Sequence, residues 1–107
     1  ILFGYNSFAL DSTSFEELER VVTLMKKNPG AKIEISAHTD KKGDERYNVY
    51  LSGKRAAEIV KFLSSKGIST TRMLSKGYGS SKPLDTADTE AAYARNRRVE
   101  LKILDLK

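Results

Sequence analysis

Three charged residues stand where their neighbours are apolar or where a strand ends: Arg55, Arg97 and Asp40. At about 100° per residue along a helix, Asn48, Leu51, Arg55, Ile59 and Phe62 fall within an arc of about 80°. Arg55 therefore lies in the middle of a stripe that packs inward. A guanidinium keeps its proton in a protein, so an inward-facing one needs an anionic or carbonyl partner. A structural ion pair, or a side chain that snorkels to water, meets that need. So does a fork aimed at a carboxylate-bearing ligand. Arg97 shares parity with Val99, Leu101 and Ile103, which puts it on the apolar face at the start of a strand, while Arg98 points the other way. Alone, Arg97 reads as a strand-end arginine bonding loop carbonyls; with Arg55 it makes two guanidinium groups directed toward one side of a sheet. Asp40 closes the run His38-Thr39-Asp40 just before a turn at 41–44. Strand ends that feed a helix are where open α/β sheets hold ligands. A carboxylate there grips an ammonium group or bonds the turn amides.

Other chemistry finds little support. The absence of cysteine excludes a thiolate nucleophile, a cysteine-based zinc site, an iron–sulfur cluster and a disulfide framework. His38 is the one histidine, so a multi-histidine metal site is impossible within the chain, and a structural role is the favoured reading for it. Gly77-x-Gly79 lacks the third glycine and following helix of a dinucleotide site. No serine sits in a G-x-S-x-G elbow, and no carboxylate pair shares an evident environment. The expectation is a binding domain that is not an enzyme and uses no cofactor and no metal.

The elements that must position these residues follow from the apolar spacing. Residues 1–3 are strand-like and Asn6-Ser7 begins a polar break. Asp11-Ser12-Thr13-Ser14 offers helix N-caps, with Glu17 at capping-box spacing from Ser14. Phe15, Leu18, Val22 and Met25 recur at helical spacing until Asn28-Pro29-Gly30. Residues 31–39 alternate as a strand, with Ile33, Ile35 and Ala37 opposite Glu34, Ser36 and His38. A long helix spans about 46–65 and stops at Lys66-Gly67. A short strand at 71–76, a glycine-rich loop at 77–83, a short helix near 89–94 and an alternating strand at 97–104 complete the order. The pattern β-α-β-α-β-(α)-β predicts an α/β (α+β) two-layer sandwich, with a mixed four-stranded sheet and the two long helices on one face.

Composition places limits on partners. The 107 residues are 39% hydrophobic and 31% charged, which suits one globular domain over 1–107. No stretch approaches the roughly 18 apolar residues of a transmembrane helix, so the domain itself is not expected to span a membrane. The net charge is +5, but acids and bases interleave, so nucleic acid is not an expected partner. The chain opens Ile1-Leu2-Phe3 without an initiator methionine, which predicts a fragment of a larger protein.

Four motifs in order then resemble one family. Ile35-Ser36-Ala37-His38-Thr39-Asp40, Tyr47-Asn48-Val49-Tyr50-Leu51-Ser52-Gly53-Lys54-Arg55-Ala56, Gly77-Tyr78-Gly79 and Asn96-Arg97-Arg98-Val99-Glu100 are similar to the OmpA-like C-terminal (OmpA/Pal/MotB) domain, over residues 3–103. The resemblance implies non-covalent binding of peptidoglycan in the periplasm of a Gram-negative bacterium, through the diaminopimelate of the stem peptide. The parent would be an outer-membrane-associated or, second, an inner-membrane-anchored envelope protein, with other envelope proteins as further partners. It implies that Asp40 holds the diaminopimelate ammonium and that Arg55, fifteen positions later, holds its carboxylate. It also implies ligand-binding roles for Asn48, Arg97, Asn6 and Thr39. Two departures fall near the expected pocket mouth: Gly4 where the family often has aspartate, and Ala92-Tyr93 in place of Gly-Arg. The alternative reading is a protein-interaction module of an envelope complex that keeps the fold without binding peptidoglycan. A peptidoglycan hydrolase would need a metal site, nucleophile or acid–base pair that the sequence does not offer.

Overall fold

The computed structural model describes residues 12–105; the strand expected at 1–3, Asn6, Asp11 and the Gly4 departure lie outside the described residues. Helix α1 (Ser12–Lys27) leads into strand β1 (Lys32–His38) and the long helix α2 (Glu45–Ser65). A 3-10 turn (Thr70–Arg72) precedes β2 (Met73–Gly77), and α3 (Glu90–Asn96) precedes β3 (Arg98–Asp105). The described strands form a sheet of order β2-β1-β3. β1 pairs parallel with β2, Ile35 opposite Ser75, and antiparallel with β3, Ile35 opposite Leu101. The sheet is therefore mixed, as expected, and the parallel crossover is made by α2.

Alternation in β1 decides which side is covered. Ile33, Ile35 and Ala37 share one core with Leu18, Val22 and Met25 of α1 and with Ala56, Ile59 and Leu63 of α2. Both long helices therefore lie on the same sheet face. Val99, Leu101 and Ile103 of β3 pack against this core from the edge. The apolar stripe of α1 starts at Ser14, fully buried, while Phe15 is 40% exposed and stacks on Phe62 at 5.4 Å. The helix begins at Ser12, within the run 11–14 that offers N-caps, and Ser14 and Glu17 stand inside its first two turns.

Elsewhere the caps are made by side chains at the expected breaks. Asp44 accepts the N–H of Arg46 to cap α2, one residue earlier than the spacing predicts, and Thr89 accepts the N–H of Ala92 to cap α3. The strand expected at 71–76 is displaced to Met73–Gly77, because Thr70–Arg72 closes into a 3-10 turn under a Ser69 cap. That turn aims Arg72 at the end of α1. Its guanidinium donates to Met25 O at 2.8 Å, Asn28 O at 2.7 Å and Ala31 O at 2.9 Å, satisfying carbonyls that the helix end leaves open.

The two glycine signals of the third motif are packing devices. A Cβ on Gly77 would sit 2.2 Å from the backbone nitrogen of Gly53, so the end of β2 meets α2 backbone to backbone. A Cβ on Gly79, at φ +57°, would lie 2.7 Å from Glu45 Oε1 and 2.9 Å from Val49 Cγ2, and the Gly79 N–H donates to Ser52 Oγ at 3.0 Å. Ser52-Gly53 of α2 is thus the small-residue seat for the loop after β2. Gly77→Ala is expected to destabilise the domain by at least about 2 kcal/mol, since neither backbone can move aside. Gly53→Ala, whose Cβ meets nothing within 4 Å, is expected to stabilise by up to about 1 kcal/mol through helix propensity. Urea unfolding of both variants checks the pair; equal effects would remove the close approach as the reason for Gly77.

Candidate functional site

The site gathers at the C-terminal end of β1. Thr39 follows the strand, its N–H donating to Gly79 O at 2.8 Å and its hydroxyl to the Asp40 carbonyl at 2.8 Å. These bonds hold the chain as it leaves the sheet. The Asp40 carboxylate, 12% exposed, then turns back: Oδ1 accepts the N–H of Lys42 at 2.9 Å, and Oδ2 accepts Arg97 Nη1 at 2.8 Å. Asn48, in the first turns of α2 and buried, donates from Nδ2 to Lys42 O at 3.1 Å. The loop between β1 and α2 is thereby pinned from both sides, which fixes where the carboxylate points.

Arg55 lies two turns further along the same face of α2, at 9% exposure. Burial lowers its pKa from the ordinary arginine value; Tyr47 and Asp40 act against that shift and Arg97 reinforces it. The guanidinium remains charged, so Asp40, Arg55, Arg97 and Tyr47 form one electrostatic neighbourhood. Asp40 pairs with Arg97, and its charge acts on Arg55 as well.

Arg97 is the residue after α3 and directly before β3, at the helix C-cap position rather than in the strand. Its Nη2 donates to Glu90 Oε1 at 2.8 Å, and Lys42 Nζ donates to Glu90 Oε2 at 3.2 Å. The Glu90 bond, followed by the Asp40 bond, raises the Arg97 pKa, and the Arg97 and Lys42 bonds hold Glu90 below the usual carboxylate range. Lys42 Nζ also sits 4.6 Å from the centre of the Tyr93 ring, so one of the Ala92-Tyr93 departures shapes the rim. Lys41 pairs with Asp88 beside it. Glu90 and Lys42 are not among the site residues that the sequence suggests, whereas Tyr93 lies in the Ala92-Tyr93 departure expected near the pocket mouth. The available signal was the seven-residue spacing of Glu90 and Arg97, two helical turns on one face.

The structure therefore bonds Arg97 and Thr39 to Asp40, ties Asn48 to the same loop through Lys42, and places Arg55 in the same electrostatic neighbourhood. Asn6 lies outside the described residues. Arg98 is turned to the other sheet face, donating to Glu100 Oε2 at 2.7 Å and to Lys82 O at 3.0 Å. His38 shares that face, stacked on Tyr78 at 5.3 Å and 3.6 Å from Glu100 Oε2, with Nδ1 buried and unpartnered. It is away from the Asp40 cluster, as a structural histidine should be.

The family follows from comparison at this point. The OmpA family pattern matches residues 2–97. The chain belongs to the OmpA family. Within it, the chain is 36% identical over 98 residues to a peptidoglycan-associated lipoprotein of Buchnera aphidicola, covering 92% of this chain and 57% of that protein. It is 34% identical to the peptidoglycan-binding protein ArfA of Mycobacterium bovis, over 94% of this chain and 31% of that protein. The crystal structure of the peptidoglycan-associated lipoprotein from Burkholderia pseudomallei superposes with a TM-score of 0.90 at 29% identity, covering 97% of this chain and 88% of that one. The chain spans just over half the length of the lipoproteins of Buchnera and Legionella that it matches. Domains of this OmpA family are non-enzymatic.

Burial and the nearby Arg98 lower the His38 pKa below its ordinary 6.5. The fold thus favours neutral His38, and its contribution to stability is complete above pH 6.5 and is lost as pH falls from there through the folded-state value. The thermal midpoint is expected to drop between pH 7.5 and 5.5 more steeply for the natural domain than for His38→Asn. Parallel curves for the two would contradict this placement of His38.

Proposed function

We propose that this OmpA-family domain binds peptidoglycan without making or breaking bonds, by clasping the zwitterionic centre of diaminopimelate in the stem peptide. Asp40 takes the ammonium, Arg55 takes the carboxylate on the same carbon, and Arg97 orients Asp40. The observation that carries the reading is the juxtaposition of one anchored carboxylate and one buried guanidinium, supplied by different elements at one end of the sheet. Ionised Asp40 retains acceptor capacity beyond its two protein bonds. Burial makes the Arg55 charge costly, and a ligand carboxylate would offset that cost. The names of the lipoprotein and ArfA relatives support peptidoglycan as the polymer. The domain would anchor a larger envelope protein to the cell wall, in the periplasm.

A protein-interaction role is the second reading, favoured by the exposed Tyr47 and Tyr50 on α2, at 43% and 54% exposure. Sedimentation with diaminopimelate-type sacculi, with and without free diaminopimelate as competitor, separates the two. Displacement by the competitor is the expected result.

Arg55→Ala is expected to cost about 2–5 kcal/mol of binding, roughly 30- to several-thousand-fold, while the domain stays folded. Lysine at the position should rescue poorly, because it lacks the planar fork. Isothermal titration with a muramyl tripeptide ending in diaminopimelate checks this, and affinity close to that of the natural domain would overturn the assignment. Arg97→Ala should weaken the same binding and Arg98→Ala should leave it nearly unchanged. Equal losses would mean that the Asp40 contact does not distinguish them.

A further inference from the structure

The carboxylate of Glu90 closes a ring of bonds around the proposed ammonium site. Arg97 joins Asp40 Oδ2 to Glu90 Oε1, Lys42 Nζ joins Glu90 Oε2, and the Lys42 N–H returns to Asp40 Oδ1. A guanidinium facing a single carboxylate tends to bind it through two parallel N–H groups. Here Glu90 takes one arm of Arg97, so Asp40 receives only the other. The charges bear on the same point. Asp40 and Glu90 set two negative charges against Arg97, Lys42 and Arg55, leaving a local balance of +1; without Glu90 the balance is +2. An ammonium group approaching Asp40 would then meet an arginine bound through both arms and an extra uncompensated cation.

We propose that Glu90 is a positioning residue that holds Arg97 half away from Asp40, leaving Asp40 open to an ammonium and making the site selective for a zwitterionic ligand over a plain carboxylate. The proposal rests on the diaminopimelate reading above. Glu90 touches no ligand in this scheme. Its side chain is 68% exposed, so its removal is expected to leave the fold intact. Its effect on charge also weakens as salt is added, because exposed charges are screened.

The test uses two probes: a muramyl tripeptide whose single ammonium is the one on diaminopimelate, and the same compound acetylated there. The natural domain is expected to prefer the free ammonium by about tenfold or more. Glu90→Gln keeps the size and an acceptor oxygen but removes the charge. It should shrink that preference at least about threefold by weakening the free form, leaving the acetylated form bound as well as before or better. Asp40→Asn provides the reference in which the preference is lost. The thermal midpoint of Glu90→Gln should stay close to that of the natural domain. An unchanged preference in Glu90→Gln, or equal loss for both probes, would overturn the role of Glu90 while the binding reading stands. Failure of the natural domain to bind the free form, or to prefer it, would overturn the binding reading and this proposal with it.

Discussion

The salt bridge from Arg97 Nη1 to Asp40 Oδ2, 2.8 Å long, joins residues 57 apart in the chain. One belongs to the loop that follows the central strand, the other to the joint between α3 and β3. The Asp40 turn is short of apolar side chains, and α3 buries little beyond Ala92 and Asn96. Asn96 adds to the same joint by accepting the N–H groups of Leu84 and Asp85 and donating to Asp85 O at 2.8 Å. At this corner the fourth motif thus meets the first by a polar contact. The hydrophobic core, by contrast, lies under α1 and α2 and would survive small shifts of this corner.

That division explains what was legible in the sequence. Periodicity placed both long helices and the central strand, because burial of Ile33, Ile35, Ile59 and Leu63 enforces it over many residues. Strand parity separated Arg97 from Arg98, which the structure turns to different partners, although Arg97 closes the helix instead of opening the strand. The helix-face argument gathered Asn48 and Arg55 for the same reason. The bounds of β2 were displaced, because contacts remote in sequence draw Arg72 into a 3-10 turn. Glu90 and Lys42 were invisible as site residues, while Tyr93 stood out only as a departure near the pocket mouth. Glu90 and Lys42 are ordinary surface chemistry until the loop and α3 are brought face to face.

Membership of the OmpA family and the proposed ligand rest on different grounds. The family follows from the match over residues 2–97 and from the superposition on the Burkholderia lipoprotein. The ligand reading rests on local chemistry: an acid anchored by a backbone N–H and by Arg97, beside a buried arginine whose pKa burial lowers. Charge-assisted bonds of this kind contribute about 1.5–3 kcal/mol each when a ligand completes them. Two of them would give the proposed hold on peptidoglycan a reversible strength. Such a holding function also fits the stiffness of the corner, since both ends of the Asp40 loop are bonded before any ligand arrives.

A crystal structure of the domain with the muramyl tripeptide bound would test the central claim most directly. The account predicts the diaminopimelate ammonium within hydrogen-bond distance of the Asp40 carboxylate and the neighbouring carboxylate on the Arg55 guanidinium. A peptide seated on another face, or one at this corner with its ammonium turned to solvent and Arg55 unliganded, would contradict it.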